Sequence, residues 1–140
     1  MIRNRSTGRH SPRGRLAQAT LRQIRLFATD VDGVLTDAGM YYSESGDEWK
    51  KFNTRDGMGI KLLQRAGLIT AIVTQERTRL VARRAEKLAI PELHQGVMDK
   101  LSVIRDMALR HGIALQQIAY IGDDVNDIEA LKAVGLSAAP

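Results

Sequence analysis

From residue 24 onward, short apolar runs alternate with amphipathic segments, the pattern of a parallel sheet covered by helices. Residues 24–29 predict a first buried strand, which ends at Asp30. Residues 40–43 and 48–52 flank Glu44-Ser45-Gly46-Asp47, whose Gly and Asp are turn formers, so this stretch predicts a β-hairpin. Asp56 is placed to cap a helix that runs to Arg65 and stops at Gly67. Residues 68–73 predict a second core strand, ending at Thr74. The next two segments have helical spacing, with Leu80, Val81, Ala85 and Leu88 on one face and Leu101, Ile104, Met107 and Ala108 on another. Residues 118–121 form a further short apolar run, followed by Gly122, a helix over 125–133 and a last strand over 135–138. The fold class that emerges is α/β: a Rossmann-like parallel sheet flanked by helices, with a hairpin insertion.

Composition narrows this picture. The chain has 140 residues, 44% of them hydrophobic and none of them Cys, which fits one domain with an ordinary core and excludes disulfide frameworks and thiolate chemistry. Carboxylates and histidines must then carry any reaction. His10, His94 and His111 are scattered without ligand spacing, so they are set aside. The net charge of +5 lies entirely in residues 1–20, where Arg3, Arg5, Arg9, Arg13 and Arg15 meet no acid. This leads to two units: a basic, disordered tail over 1–20 and a domain over 21–140. Weak polyanion binding and an organellar transit peptide are secondary readings of the tail. No apolar stretch approaches the roughly 20 residues that cross a bilayer. A soluble, cytoplasmic protein is expected, with neither a membrane nor a nucleic acid as partner.

In an open α/β sheet, ligands bind beyond the carboxyl ends of the strands. Three predicted strand ends carry polar residues: Asp30 and Asp32, then Thr74, then Asp123, Asp124 and Asp127; Lys100 opens a helix between the last two. Converging carboxylates disfavour one another's ionisation, and a hard cation with oxygen ligands, Mg²⁺ above all, relieves this. A nucleophilic carboxylate beside such a cation, with a lysine and a hydroxyl nearby, suits phosphoryl transfer. Asp30 would attack phosphorus to give an aspartyl-phosphate, and Asp32 would protonate the leaving alcohol and then deprotonate water. Thr74 and Lys100 would bind the phosphate.

The segments Asp30-Val31-Asp32-Gly33-Val34-Leu35-Thr36-Asp37, Thr74, Lys100 and Gly122-Asp123-Asp124-Val125-Asn126-Asp127 resemble the four motifs of the haloacid dehalogenase superfamily. Phe52-Asn53-Thr54-Arg55-Asp56-Gly57, Arg83-Arg84-Ala85-Glu86-Lys87-Leu88 and Gln95-Gly96-Val97-Met98-Asp99-Lys100 are similar to its capless branch, which dephosphorylates 3-deoxy-2-keto sugar acids. That resemblance implies a core without a cap domain, and Mg²⁺ held by Asp30, the Asp32 backbone carbonyl and Asp123. It places Asp124 and Asp127 behind those ligands. It also implies a homotetramer with shared active sites, built through hairpins such as the one bearing Tyr41, Tyr42, Trp49 and Phe52; a hairpin folded on its own core is the alternative.

The substrate implied is a small sugar-acid phosphate. Glu76, with Arg84 and Lys87 on one helical face, looks like the nonulosonate 9-phosphate type, whereas Arg55-Asp56-Gly57 looks closer to the octulosonate 8-phosphate type; the nonulosonate is favoured. Two departures from the family pattern bear on activity. Gln75 stands where Gly usually follows the motif Thr, and the chain stops at Pro140 where the family continues into a further strand and a C-terminal tail. A non-catalytic oligomerisation module, like the domain appended to some sialate cytidylyltransferases, is therefore the rival expectation.

Overall fold

The computed structural model describes residues 12–140, with side chains from Gln18. The chain runs α1 (Pro12–Gln23), β1 (Leu26–Thr29), β2 (Tyr41–Tyr42), β3 (Glu48–Trp49), α2 (Thr54–Arg65), β4 (Ile69–Val73) and α3 (Arg79–Leu88). It continues through β5 (Glu92–His94), α4 (Lys100–His111), β6 (Ile118–Ile121), α5 (Ile128–Ala133) and β7 (Leu136–Ala138). Five strands form one parallel sheet in the order β5-β4-β1-β6-β7. Thr29 of β1 is in register with Ile72 of β4 and with Ile121 of β6, so Asp30, Thr74 and Asp123 leave the sheet at the same edge.

Strand periodicity explains the two cores. Successive side chains alternate faces, so Leu26, Ala28, Ala71, Val73, Ile118 and Tyr120 pack against Ile104, Met107 and Ala108 of α4 and Ala130 of α5. On the opposite face Ile72 joins Ile60 of α2 and Val81, Ala85 and Leu88 of α3. Of the expected apolar face of α3, Val81, Ala85 and Leu88 are buried, while Leu80 is half-buried. α4 likewise buries Ile104, Met107 and Ala108. No helix among the described residues is long and apolar enough to cross a membrane.

Several local expectations are corrected. Residues 12–20 were expected in a structureless tail but belong to α1. Proline suits a first helical turn, where its missing N–H has no intrahelical partner to lose, and Ala17, Gln18, Ala19 and Leu21 have high helix propensity. The rest of that tail expectation falls on residues 1–11, outside the described residues, as does His10. The cap of α2 is Asn53, whose side chain accepts from Arg55 N at 2.8 Å, and not Asp56. Gly67 ends that helix as expected, at φ 86°. The helix expected over 125–133 divides into a 3₁₀ turn, Val125–Asp127, and α5. β5 was not anticipated.

The hairpin pairs Tyr41 with Trp49 and Tyr42 with Glu48. A bridge between Thr36 and Phe52 ties its base to the loop after β1. Phe52 packs against the second core, while Tyr41, Tyr42 and Trp49 stay exposed, so among the described residues the ribbon has no core of its own.

β5 is fastened to the end of α4 by one carboxylate. Glu92 accepts from both Arg110 terminal nitrogens (2.8 and 3.1 Å), from His111 (2.6 Å) and from His94 (2.8 Å). The two histidines set aside in the sequence thus meet at one acid. Arg110 is the main cause that holds the Glu92 carboxyl down at about 2, against partial burial and with help from His111 and His94. A carboxylate depressed in the folded state stabilises at pH values above its unfolded value of about 4.5, and loses that contribution as pH falls through 2. Denaturant unfolding of the parent and Glu92→Gln should therefore differ near neutral pH, and the difference should close between about pH 4.5 and pH 2.

Candidate active site

Asp30 leaves β1 with its amide bonded to the Ile121 carbonyl (2.9 Å) and its side chain buried. One carboxylate oxygen accepts from Val31 N at 2.7 Å and the other from Lys100 Nζ at 2.7 Å. Each oxygen keeps a free lone-pair direction. Burial pushes the Asp30 carboxyl up, against the lowering effect of Lys100 and the Val31 amide.

Lys100 is 1% exposed at the start of α4, and its ammonium is shared between Asp30 and Asp127 Oδ1, the latter at 2.6 Å. Asp127 Oδ1 also receives the Tyr120 hydroxyl, while Oδ2 accepts the amides of Asp123 and Asp124, each at 3.1 Å. Burial alone would raise Asp127, but Lys100, Tyr120 and the Asp124 amide outweigh it and hold the carboxyl below its ordinary value. Four donors fill the four acceptor directions of a carboxylate. Asp127 therefore shapes the loop and holds Lys100 in place.

Close packing forces two glycines here. At Gly33, where φ is +79°, an added Cβ would lie 1.8 Å from Asp123 Oδ2, and at Gly122 it would lie 2.3 Å from Asp127 Cγ. The first contact presses the loops after β1 and β6 together, and the second folds the loop after β6 onto itself. Asp30, Asp123 and Asp127 each offer a carboxylate oxygen, all within 4.8 Å of one another. Among the described residues no side chain donates to Asp123, and burial followed by the charges of Asp127 and Asp124 pushes its carboxyl up. This donor set fits a hard divalent cation, with Asp30 and Asp123 the carboxylates that retain free oxygens.

A cavity of about 470 Å³ opens above them, lined by Asp30, Asp32, Thr74, Glu76, Asp123 and Asp124 together with Ala38, Gln75 and Asn126. Thr74 is held by its amide on the His94 carbonyl (2.9 Å) and its carbonyl on Val97 N (3.1 Å). Asp124 also caps the 3₁₀ turn through Val125 N. Of the expected site residues, Lys100 and Asp127 sit behind Asp30 and do not line the cavity. Arg84 and Lys87 lie in a neighbouring cavity of about 480 Å³ with Lys50, Phe52, Leu80, Arg83 and Glu86. There Arg84 donates to the Asn53 carbonyl (2.9 Å), with its guanidinium 5.4 Å from the Phe52 ring centre.

Lys50 connects the two cavities and was missed in the sequence. Its side chain is fully buried, with Nζ 2.7 Å from Asp32 and 2.8 Å from Glu76. Burial alone would lower its pKa; the two carboxylates outweigh this and raise it, so it remains an ammonium. The only sequence signal is its place at the hairpin base, in a run of charges that reads as solvated surface. Tyr120 was also missed, because the sequence marks it only as an apolar strand residue.

The parallel sheet, with carboxylates on the loops after β1 and β6 and a buried lysine between them, is the α/β arrangement that suits a hydrolase using a hard cation. Residues 86–139 match the model of the haloacid dehalogenase-like hydrolases. The chain is 40% identical over 121 residues to the 3-deoxy-D-manno-octulosonate 8-phosphate phosphatase of Escherichia coli K12, a match covering 86% of this chain and 64% of that protein. The chain thus spans a little under two thirds of the curated relatives' length. The Moraxella catarrhalis phosphatase of the same name, solved with magnesium, phosphate and KDO, superposes with a TM-score of 0.84 at 39% identity, over 86% of this chain and 70% of that one. A hypothetical protein of Xanthomonas campestris superposes at 0.87 with 33% identity, over 99% and 74%. The chain belongs to the haloacid dehalogenase-like hydrolase family.

Proposed function

We propose that the chain is a magnesium-dependent phosphatase acting on a 3-deoxy-2-keto sugar-acid phosphate, with 3-deoxy-D-manno-octulosonate 8-phosphate as its substrate. The observation that carries the chemistry is Asp30: a buried carboxylate, fixed by Lys100 and Val31 N, with lone pairs still free at the cavity floor. Asp30 attacks phosphorus; the ester P–O bond breaks and the leaving alcohol takes a proton from Asp32. Asp32 then removes a proton from water, whose oxygen attacks the aspartyl-phosphate and returns Asp30 with release of phosphate. Thr74 is available to donate its hydroxyl to the phosphate, while Lys100 holds Asp30 in line. Magnesium held by Asp30, the Asp32 carbonyl and Asp123 would neutralise phosphate charge, with Asp124 and Asp127 supporting the loop.

The sugar acid is the finer question. Glu76, Arg84 and Lys87 favoured the nonulosonate 9-phosphate, but the names of the relatives support the octulosonate 8-phosphate. Glu76 is also engaged by Lys50, which weakens it as a free acceptor for substrate hydroxyls. Gln75 introduces no backbone strain, since its φ is not among the positive values. Phosphate release from both sugar phosphates, with and without Mg²⁺, tests the reading. Release of phosphate from the octulosonate ester is expected, faster than from the nonulosonate and abolished by chelation. A folded protein that releases phosphate from neither would favour the non-catalytic module.

The same proposal includes a homotetramer with shared sites, supported by the exposed Tyr42 and Trp49 of the hairpin, 66% and 54% accessible. Arg84 and Lys87 would then reach a neighbour's substrate carboxylate. Sedimentation should show a tetramer that Trp49→Ala loosens, because buried aromatics anchor such contacts. A fully active monomer would defeat the shared-site part.

A further inference from the structure

We propose that Gln75 and Asn126 form a latch across the cavity of the substrate-free protein, which an incoming sugar-acid phosphate must open. The inference rests on the phosphatase reading above and adds a control on access. Gln75 lies on the loop after β4 and Asn126 in the 3₁₀ turn after β6, yet Asn126 Nδ2 donates to Gln75 Oε1 at 2.8 Å. Both residues line the cavity that holds Asp30, Asp32 and Asp123.

The backbone on either side of this contact is tied down. Beside Gln75, Thr74 is fixed to His94 and Val97; beside Asn126, Asp127 is saturated by four donors. Opening therefore requires only that the two side chains part. Gln75 is exposed to water, so its carboxamide finds new partners when it swings away. Asn126 Oδ1 is buried with no hydrogen-bond partner in the closed arrangement, so opening gives that atom a chance of one. One neutral hydrogen bond of this kind biases an equilibrium by about 2–10-fold, enough to favour closure and weak enough for a ligand to reverse. A ligand that binds only the open form loses apparent affinity in proportion to the closed population. Inorganic phosphate carries no sugar to pass between the two amides and should escape this penalty.

The test compares the full chain with Gln75→Ala, Asn126→Ala and the double variant. It reads KM for 3-deoxy-D-manno-octulosonate 8-phosphate and the inhibition constant of inorganic phosphate. Each single change should lower KM by about 3–10-fold, and the double variant should go no further, since either change alone breaks the bond. The phosphate constant should move by less than about twofold. A rise in KM would mean that these amides bind substrate, and additive effects would mean that they act separately; either result overturns the latch. Exchange of the Asn126 side-chain amide protons, read by NMR, reports the same contact without substrate. It should quicken in Gln75→Ala, and unchanged exchange there overturns the proposal. If the parent hydrolyses no phosphate ester, the phosphatase reading fails while the exchange result still decides the latch.

Discussion

Asp30→Asn should abolish phosphate release, by on the order of 10⁴-fold or more, the scale on which enzymes lose rate when their nucleophile is removed. A neutral carboxamide cannot attack phosphorus to give the acyl-phosphate. The structure also indicates how the variant fares as a protein. Asp30 accepts two donors, Val31 N and Lys100 Nζ, one on each oxygen. An Asn side chain has only one acceptor oxygen, so in either orientation its NH₂ faces another donor. Lys100 nevertheless keeps Asp127 at 2.6 Å, and the sheet beneath is untouched, so the fold should persist with some loss of stability. Phosphate release and circular dichroism measured together check both halves. Substantial turnover in a folded Asp30→Asn protein would remove Asp30 from the nucleophile's role.

Lys100→Met should have the largest effect on stability. The ammonium is 1% exposed and is the cation shared by two buried carboxylates, Asp30 and Asp127. Removal of one partner from a buried ion cluster costs about 3–5 kcal/mol, because the remaining charges are left uncompensated. For a domain of 140 residues this corresponds to a fall in Tm of about 10–20 °C. Thermal unfolding in the absence of metal reads the effect directly. Added Mg²⁺ should recover part of the loss by supplying another positive charge, so the Tm difference between parent and variant should narrow as the metal is raised. A variant that melts with the parent would mean that Lys100 is not the cation that balances Asp30 and Asp127. Turnover should fall as well, since Asp30 loses the partner that orients it.

The elements that the sequence resolved best are those whose information is local. A run such as residues 118–121 is apolar and short, and its end at Gly122 is punctuated, so β6 and the carboxylates after it could be placed before any contact was known. The same holds for β1 with Asp30 and β4 with Thr74. β5 escaped because Glu92-Leu93-His94 is too short to alternate; its pairing with β4 and the ties from Arg110 and His111 make it a strand. The cap of α2 was misassigned by three residues because Asn53 and Asp56 both carry cap-type side chains, and only backbone geometry chooses between them.

By itself, the sequence of this protein determined its α/β class, the order of strands and helices apart from α1 and β5, and which polar residues stand at strand ends. Those are consequences of periodicity and turn chemistry, which act within a few residues along the chain. Tertiary structure alone decided what each polar group faces. Lys50 is buried between Asp32 and Glu76, residues 18 and 26 positions away, because the hairpin folds back over the loop after β4. Asp127 is filled by four donors because Tyr120, Lys100 and two loop amides converge on it. Gln75 meets Asn126 across 51 positions. The physical reason is that hydrogen bonding and charge pairing depend on distances of about 3 Å, and separations along the chain do not encode such distances until the sheet register brings the loops together.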